Sequence, residues 1–158
     1  ISTVTLTFAS EVVEMPDIAT DSAAAAGVEA HRFRASLPVK AYEEAGVGPE
    51  DVSVAEVYDL SSALELDWYE DLQFCKRGEA AQLVREGVTK LGGRLPVNTS
   101  GGLACFGEAV PAQALAQACE LTWQLRGQAG DRQVDNAKVG ITANQGLFGH
   151  GSSVIVKR

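Results

Sequence analysis

Residues 52–72 read VSVAEVYDLSSALELDWYEDL, and this stretch indicates the fold class. Its first part is rich in valine and ends at Tyr58, which predicts a buried strand. A helix follows at once, because Ser62 and Glu65 have the spacing of a capping box. The helix carries an apolar stripe at helical spacing, made of Leu64, Trp68 and Leu72. A strand that runs straight into an amphipathic helix indicates an α/β fold.

Strands and helices continue to alternate on both sides of this stretch. The other predicted strands are Ser2–Phe8, Lys138–Asn144 and Ser152–Lys157, and the other predicted helices are Ser22–Ala45, Glu79–Arg85 and Ala109–Arg126. Pro38 is expected to divide the first helical region, with a second helix capped at Ser36. Residues 87–107 are expected to form a loop. This order predicts a mixed sheet with helices on its faces.

The composition narrows the range of functions. The 158 residues are enough for one domain with its own core. A net charge of −8 gives the chain no general attraction to nucleic acid or to anionic membranes. Three cysteines without C-x-x-C spacing and two histidines argue against a disulfide framework or a metal site, and favour a reducing cytoplasm. The chain opens on a strand-like run without an initiator methionine, which suggests an excised fragment.

The long helix over Ala109–Arg126 is expected to present one apolar face to the core. The residues predicted for that face are Val110, Ala114, Leu115, Ala118, Leu121 and Leu125. Cys119 lies near the same face and is expected to be buried. Cys105, in the preceding loop, is either a nucleophile or a small structural cysteine.

Two polar residues stand at the carboxyl ends of predicted strands, where sites form in α/β sheets. Tyr58 could act as an acid/base or donate a hydrogen bond to a carbonyl oxygen. Asn144 ends the next-to-last strand. The simpler interpretation is that Tyr58 packs against the end of the sheet and Asp59 caps the following helix.

Two glycine-rich loops add further candidates. The first contains Ser100, Gly101 and Gly102, and its backbone N–H groups could hold an oxyanion. Glu108 follows it, and is either a general base or a residue that complements the dipole of the next helix. The second loop spans residues 144–151. Its glycines, Gly146 and Gly149 among them, permit close approach to a ligand, and His150 is either an acid/base or a surface histidine.

Five segments, in this order and spacing, resemble the C-terminal half of thiolases, especially the sterol-carrier-protein thiolase and actinobacterial lipid-transfer protein branch, which is similar to acetyl-CoA acetyltransferases. They are residues 41–51 (AYEEAGVGPED), 55–59 (AEVYD), 96–102 (PVNTSGG), 115–127 (LAQACELTWQLRG) and 137–144 (AKVGITAN). The resemblance implies that residues 1–158 form one βαβαβαββ half with a five-stranded mixed sheet. The N-terminal half, which would carry the nucleophilic cysteine, is then absent from this chain.

The chain departs from the family at each C-terminal catalytic motif. The family's Asn-Glu-Ala-Phe or His-Asp-Cys-Phe motif is replaced by Tyr58-Asp-Leu-Ser61. Its Gly-His-Pro motif becomes Gly107-Glu-Ala109, and its Cys-x-Gly motif becomes Asn144-Gln-Gly146. A carboxylate at Glu108 would repel a thiolate and an enolate unless it were protonated. Claisen condensation and thiolysis by these residues are therefore not expected.

The Val-Tyr-Asp pattern resembles the thiolase-like steroid side-chain aldolases of actinobacteria. That resemblance implies retro-aldol cleavage of a β-hydroxyacyl-CoA in lipid or steroid metabolism, with Tyr58 as acid/base or donor and Glu108 or His150 as its helper. It also implies a coenzyme A thioester as substrate, no bound cofactor, a homodimer when full length, and a small OB-fold, zinc-ribbon partner protein. The family's second tyrosine has no equivalent here. Two alternatives stay open: an acyltransferase that uses the N-terminal cysteine and His150, and a degenerate subunit that binds acyl-CoA or a partner.

Overall fold

The computed structural model describes residues 3–9, 23–109, 112–145 and 151–158. The strands are β1 (Thr3–Ala9), β2 (Val54–Val57), β3 (Val139–Gln145) and β4 (Gly151–Lys157), and the α-helices are α1 (Ala23–Ala45), α2 (Ser62–Asp71), α3 (Ala80–Arg85), α4 (Gly102–Phe106) and α5 (Ala112–Arg126). Single 3₁₀ turns cover Pro49–Asp51 and Gly130–Arg132. Within these ranges, no helix is both long and apolar enough to cross a membrane.

The described strands form one mixed sheet in the order β1-β4-β3-β2. β2 runs parallel to β3, whereas β3 pairs antiparallel with β4, and β4 with β1. The expectation of five strands is wrong for the described residues, which contain four. At the place of a fifth strand, Val97 forms only an isolated parallel bridge to Ala55. Pro96 has no N–H to donate, and Asn98 turns the chain away with φ +52°, so the pairing stops there.

Alternate side chains of the central strands face two different helical layers. On one face, Ala55, Val57 and Ile141 belong to a core shared with α1 and α2. On the other face, Val54 packs with Leu121 of α5 in a second core. The sheet is thus covered on both sides, which confirms the expected α/β architecture.

Helix α1 is continuous, so the predicted break at Pro38 and the cap at Ser36 are wrong. Leu37, Ala41 and Ala45 lie four residues apart and are almost completely buried. Packing of this stripe on the core stabilises the helix enough for it to continue past Pro38, although the proline removes one backbone hydrogen bond. The cap of α2 is also displaced by one residue, because the Ser61 hydroxyl, not that of Ser62, accepts from the Leu64 N–H at 3.2 Å.

Helix α5 buries a largely polar face, contrary to the apolar face that the sequence predicts. Its buried residues are Gln113, Gln117, Glu120, Leu121, Gln124 and Leu125. Leu115 is 68% exposed, and Cys119 is exposed rather than buried. The helix runs antiparallel to β2 and β3, so its apolar end covers Val54 and its polar end covers the carboxyl ends of the strands, where the sheet itself becomes polar.

The loop predicted over residues 87–107 is interrupted by the short helix α4. This helix starts directly after the Gly101 backbone, which has φ +94°. Together with the Val97 bridge, α4 brings the glycine-rich segment to the carboxyl ends of β2 and β3.

Candidate active site

Tyr58 and Asn144 lie side by side at the carboxyl ends of two parallel strands. Val57 pairs with Ala143, and the Tyr58 N–H donates to the Ala143 carbonyl at 2.8 Å. The next position on each strand therefore faces the same side of the sheet, the side covered by α5. Only 6% of Tyr58 and 5% of Asn144 are exposed. The structure thus brings these two predicted site residues together.

The phenol of Tyr58 donates a hydrogen bond to Glu108 Oε1. Glu108 itself is exposed, between α4 and α5. Burial raises the pKa of Tyr58 to about 12, and the hydrogen bond and negative charge of Glu108 act in the same direction, while a hydrogen bond from the Gln113 side chain opposes them. The phenol is therefore neutral at physiological pH, and its proton points to a carboxylate.

Carboxamides from α5 and β3 form the wall next to this pair. The Asn144 amide donates to Gln117 Oε1. Gln113 is buried one turn before Gln117 and contacts the Tyr58 phenol. Two buried oxygens, Gln113 Oε1 and Asn144 Oδ1, have no hydrogen-bond partner in the described parts of the chain. Buried acceptors in native proteins are normally satisfied, so these two oxygens require a hydrogen-bond donor that the described residues do not supply.

The glycine-rich loop closes against Asp59. Gly102 has φ +61°, and a Cβ atom there would lie 2.1 Å from Asp59 Oδ2, so glycine is required. Asp59 Oδ1 accepts from the Leu103 N–H at 2.9 Å, at the start of α4. The simpler interpretation of Asp59 as the cap of α2 is therefore wrong, because the carboxylate binds α4 instead.

The backbone donors of this loop are engaged within the chain. The Gly101 N–H donates to the Asn98 carbonyl at 2.9 Å, and the Gly102 N–H to the Ser100 hydroxyl at 3.1 Å. With the Leu103 N–H bound to Asp59, none of these three amides points to an oxyanion in this arrangement. The loop instead forms a wall of the site, with Ser100 held from below by Glu56.

The remaining predicted site residues and cysteines do not lie in the described part of the site. Gly146, Gly149 and His150 lie outside the described residues, so their part in the site stays a prediction. Cys105 is exposed on α4, where its sulfur packs against Gly101. Cys119 is exposed because it lies on the face of α5 that points away from the sheet.

Several residues in or below the site were not predicted from the sequence. Gln113, Gln117, Glu120 and Gln124 of α5 recur at helical spacing, and this polar period was the available signal. Glu56 alternates with Val54 and Tyr58 on β2, which places all three on one face. Such polar stripes are normally assigned to solvent, and only the packing of α5 on the sheet shows that they are buried.

The sequence of this chain is similar to those of a known family and of several known proteins. The profile of the family described as thiolase C-terminal domain-like matches residues 6–158. Sterol carrier protein 2 of Rattus norvegicus is 48% identical over 110 residues, which are 70% of this chain and 20% of that protein. Acetyl-CoA acetyltransferase of Methanothermobacter thermautotrophicus is 41% identical over 114 residues, which are 72% of this chain and 30% of that protein.

A solved structure, the Ltp2-ChsH2(DUF35) aldolase, is similar with a TM-score of 0.69 and 27% identity, over 78% of this chain and 31% of that one. The chain thus spans between a fifth and a third of the length of these relatives. The match to the family profile over nearly all of the sequence, together with the mixed sheet and its covering helices, shows that the chain belongs to the thiolase C-terminal domain-like family.

Proposed function

We propose that this chain supplies the C-terminal half of a thiolase-fold active site that cleaves a β-hydroxyacyl-CoA by a retro-aldol reaction. The observation that carries the proposal is the hydrogen bond from the Tyr58 phenol to Glu108. The phenol proton is directed to the carboxylate and the Gln113 side chain donates to the phenol oxygen, so one lone pair of that oxygen remains for a substrate hydroxyl. Tyr58 therefore accepts a proton from the substrate, and Glu108 accepts the proton that the phenol gives up.

The proton transfers of this step balance within the pair. The β-hydroxyl proton moves to the Tyr58 oxygen while the Tyr58 proton moves to Glu108. The oxygen left on the β-carbon becomes a carbonyl, and the bond between the α- and β-carbons breaks. Its electrons form the enolate of the shortened acyl-CoA, whose α-carbon then takes the proton back from Glu108 through Tyr58, so that the pair returns to its starting state. The raised pKa of Tyr58 fits this role, because a phenol with a carboxylate behind it keeps no charge before the substrate binds.

The buried carboxamides of Gln113, Gln117 and Asn144 favour a hydroxy substrate over a keto substrate. Gln113 Oε1 and Asn144 Oδ1 are buried acceptors without donors among the described residues. A substrate that opened this wall on binding could present its β-hydroxyl to such an oxygen and then turn the same hydrogen to the Tyr58 oxygen, whereas a β-keto oxygen can only accept. Asn144 also cannot titrate, so it supplies no acid/base chemistry of the kind expected of a thiol at this position.

Coenzyme A thioester is the proposed substrate form, and no resident cofactor is needed for the step. The wall formed by Asp59, Ser100, Gly101 and Gly102 would border the acyl-CoA beside Tyr58. The sequence resemblance implies that Gly146, Gly149 and His150 also help to shape the acyl-CoA pocket. Support comes from the acetyl-CoA acetyltransferase relative, whose name specifies an acyl-CoA reaction.

The rest of the enzyme would pack against the outer face of α5. Leu115 is 68% exposed, Trp123 45% and Phe106, on α4, 40%. Large apolar side chains grouped on a surface favour a protein contact. The chain matches only 20% of sterol carrier protein 2, so ample sequence remains in such relatives for a second half. The full-length protein would be a homodimer built mainly through that half.

A second protein component is also proposed. The solved aldolase that resembles this chain is named for two components, Ltp2 and ChsH2(DUF35). By analogy, the full-length protein would act with a small partner of the OB-fold, zinc-ribbon type, which the sequence resemblance implies.

Product analysis tests the proposed reaction. The full-length protein, with and without its partner, is offered a β-hydroxyacyl-CoA with a branched or steroid tail, and separately a β-ketoacyl-CoA with free coenzyme A. The proposal expects a carbonyl compound and a shortened acyl-CoA from the hydroxy substrate, with no requirement for free coenzyme A. Cleavage of the keto substrate alone, dependent on coenzyme A, would show an acyltransferase instead.

The acyltransferase alternative is supported by the 41% identity with the acetyl-CoA acetyltransferase and by the match to the thiolase C-terminal domain-like family. Its chemistry would depend on a cysteine outside this chain and on His150. A protein that binds acyl-CoA but cleaves neither substrate would be a degenerate subunit. The three outcomes of the product analysis separate these possibilities.

A further inference from the structure

Glu56 is a fully buried carboxylate below the glycine-rich loop. Its side chain is 0% exposed. Oε1 accepts from the Ser100 N–H at 3.0 Å and from the Thr99 hydroxyl at 3.2 Å, and Oε2 accepts from the Ser100 hydroxyl. A carboxylate with several donors from one short segment fixes that segment in place.

A second buried carboxylate, Glu120 of α5, faces the same threonine. The Thr99 hydroxyl lies 3.3 Å from Glu120 Oε1, but its single hydrogen can serve only one of the two carboxylates at a time. Glu120 also receives Arg132 Nη2 at 2.9 Å and Gln124 Nε2 at 3.0 Å. Arg132 thus makes its ion pair with Glu120, and no salt bridge to Glu56 occurs among the described residues.

The strand that carries Glu56 leads directly into Tyr58, which follows Glu56 by two residues on the same face. One residue between them, Val57, donates its N–H to Asn98 Oδ1 at 2.8 Å, where the loop begins. The loop is therefore attached to β2 at its first residue by Asn98 and at its centre by Glu56. Any shift of Glu56 would move Ser100 and the following glycines relative to the Tyr58 phenol.

We propose that Glu56 is a positioning residue that holds the segment Asn98–Gly102 at the end of β2, and so sets the distance between the loop wall and Tyr58. Because that wall is taken to border the acyl-CoA, the inference depends on the proposed function. Glu56 acts through Ser100 and Thr99 and touches no substrate. Its loss should weaken acyl-CoA binding and misplace the substrate against an intact Tyr58–Glu108 pair.

The electrostatics add a pH dependence to this role. Burial raises the pKa of Glu56 to about 7, the charge of Glu120 adds to this, and the hydrogen bonds from Ser100 and Thr99 oppose it. Arg132 is the cation that faces the pair. The ionised carboxylate accepts all three loop donors, whereas the protonated acid loses one acceptor position. The loop should thus be held best above pH 7.

Hydrogen exchange on the full-length protein tests the anchoring without depending on the reaction. Glu56→Leu removes all three bonds, Glu56→Gln keeps an acceptor without charge, and Glu86→Gln is the control at an exposed glutamate. The expected result is exchange of the amides at residues 99–103 about tenfold faster in Glu56→Leu, and an intermediate rate in Glu56→Gln, which keeps one acceptor oxygen. Unchanged exchange in Glu56→Leu would overturn the inference. If that variant does not fold, Thr99→Val and Ser100→Ala remove the two hydroxyl donors singly.

Binding and pH profiles test the link to function. Octanoyl-CoA, which has no β-hydroxyl, should bind about tenfold more weakly to Glu56→Leu, and kcat/KM for a cleaved β-hydroxyacyl-CoA should fall about 100-fold. In the parent protein kcat/KM should rise with increasing pH, with a midpoint near pH 7. Glu56→Gln should lack that rise. Faster loop exchange with unchanged octanoyl-CoA binding would overturn the inference. If the parent protein cleaves no hydroxy substrate, but Glu56→Leu still shows faster loop exchange and weaker octanoyl-CoA binding, the retro-aldol proposal is wrong and the positioning role of Glu56 stands.

Discussion

The Tyr58 hydroxyl donates to Glu108 across 50 residues of sequence, from the end of β2 to the segment between α4 and α5. Tyr58 is almost fully buried, whereas Glu108 is exposed at the mouth of the site. A proton taken up inside the site can therefore pass through the phenol to a carboxylate that contacts solvent. In this protein, a phenol and a carboxylate stand where related thiolases are expected to have an amide or imidazole and a histidine.

Replacement of Glu108 by glutamine should separate the orientation of Tyr58 from its proton transfer. The glutamine Oε1 can still accept the phenol hydrogen bond, but the amide cannot take the proton. We expect kcat on a β-hydroxyacyl-CoA to fall about 100-fold or more, with little change in KM, in steady-state assays. Equal activity of the two proteins would rule out Glu108 as the proton acceptor.

The same substitution should lower the pKa of Tyr58. Glu108 raises it both by accepting the phenol hydrogen bond and by its charge, so a neutral glutamine stabilises the phenolate relative to wild type. Phenolate absorbance, followed as a difference between each protein and its Tyr58→Phe counterpart, should show ionisation below pH 12 in the variant. An unchanged or raised midpoint would mean that Glu108 does not act on the phenol.

The stability of the protein should depend on pH through Glu56. The pKa of Glu56 in the folded protein, about 7, lies above the ordinary value of 4.5. The contribution of Glu56 to the free energy of unfolding is therefore complete below pH 4.5 and is lost as the pH rises through 7. This shift corresponds to about 3 kcal/mol. Urea unfolding at pH 5 and pH 8 should therefore show Glu56→Gln gaining stability relative to wild type at the higher pH. Glu86→Gln should show no such change, and a parallel loss in wild type and Glu56→Gln would exclude Glu56 as the cause.

Substitution of Gly102 by alanine should disturb the site more than the same change at Gly92. Both residues have positive φ, so both substitutions cost about 1 kcal/mol of backbone strain. At Gly92 nothing lies within 4 Å of the new Cβ, whereas at Gly102 it meets the Asp59 carboxylate. We expect Gly102→Ala to lose the bond from Leu103 to Asp59 and to bind acyl-CoA more weakly, as measured by thermal unfolding and calorimetry. Equal effects at the two glycines would contradict the tight contact with Asp59.

The elements that short-range patterns specify were predicted well. The strands β2 to β4 and the helix starting near Ala80 follow from valine-rich runs and helical spacing. The continuity of α1 through Pro38 did not follow, because the burial of Leu37 and Ala41 depends on residues far away in sequence. The missing fifth strand depends in the same way on how Asn98 bonds to Val57.

The site was only partly predictable. Tyr58, Asn144, Ser100 and the glycines could be found because strand ends and glycine-rich loops mark sites in α/β folds. Gln113 and Glu56 could not, because a polar side chain on one helix or strand normally faces water. Their burial follows from the contact between α5 and the sheet, which no local pattern reveals.

The most direct test of the central claim compares single-turnover cleavage of a β-hydroxyacyl-CoA by full-length wild type, Tyr58→Phe and Tyr42→Phe. Tyr42 donates to the Leu72 carbonyl within the core, so its variant also loses a buried hydroxyl bond but leaves the site intact. The retro-aldol mechanism predicts that Tyr58→Phe is slower by about 10²- to 10⁴-fold and Tyr42→Phe is close to wild type. Full cleavage by Tyr58→Phe would contradict the role of the Tyr58–Glu108 pair.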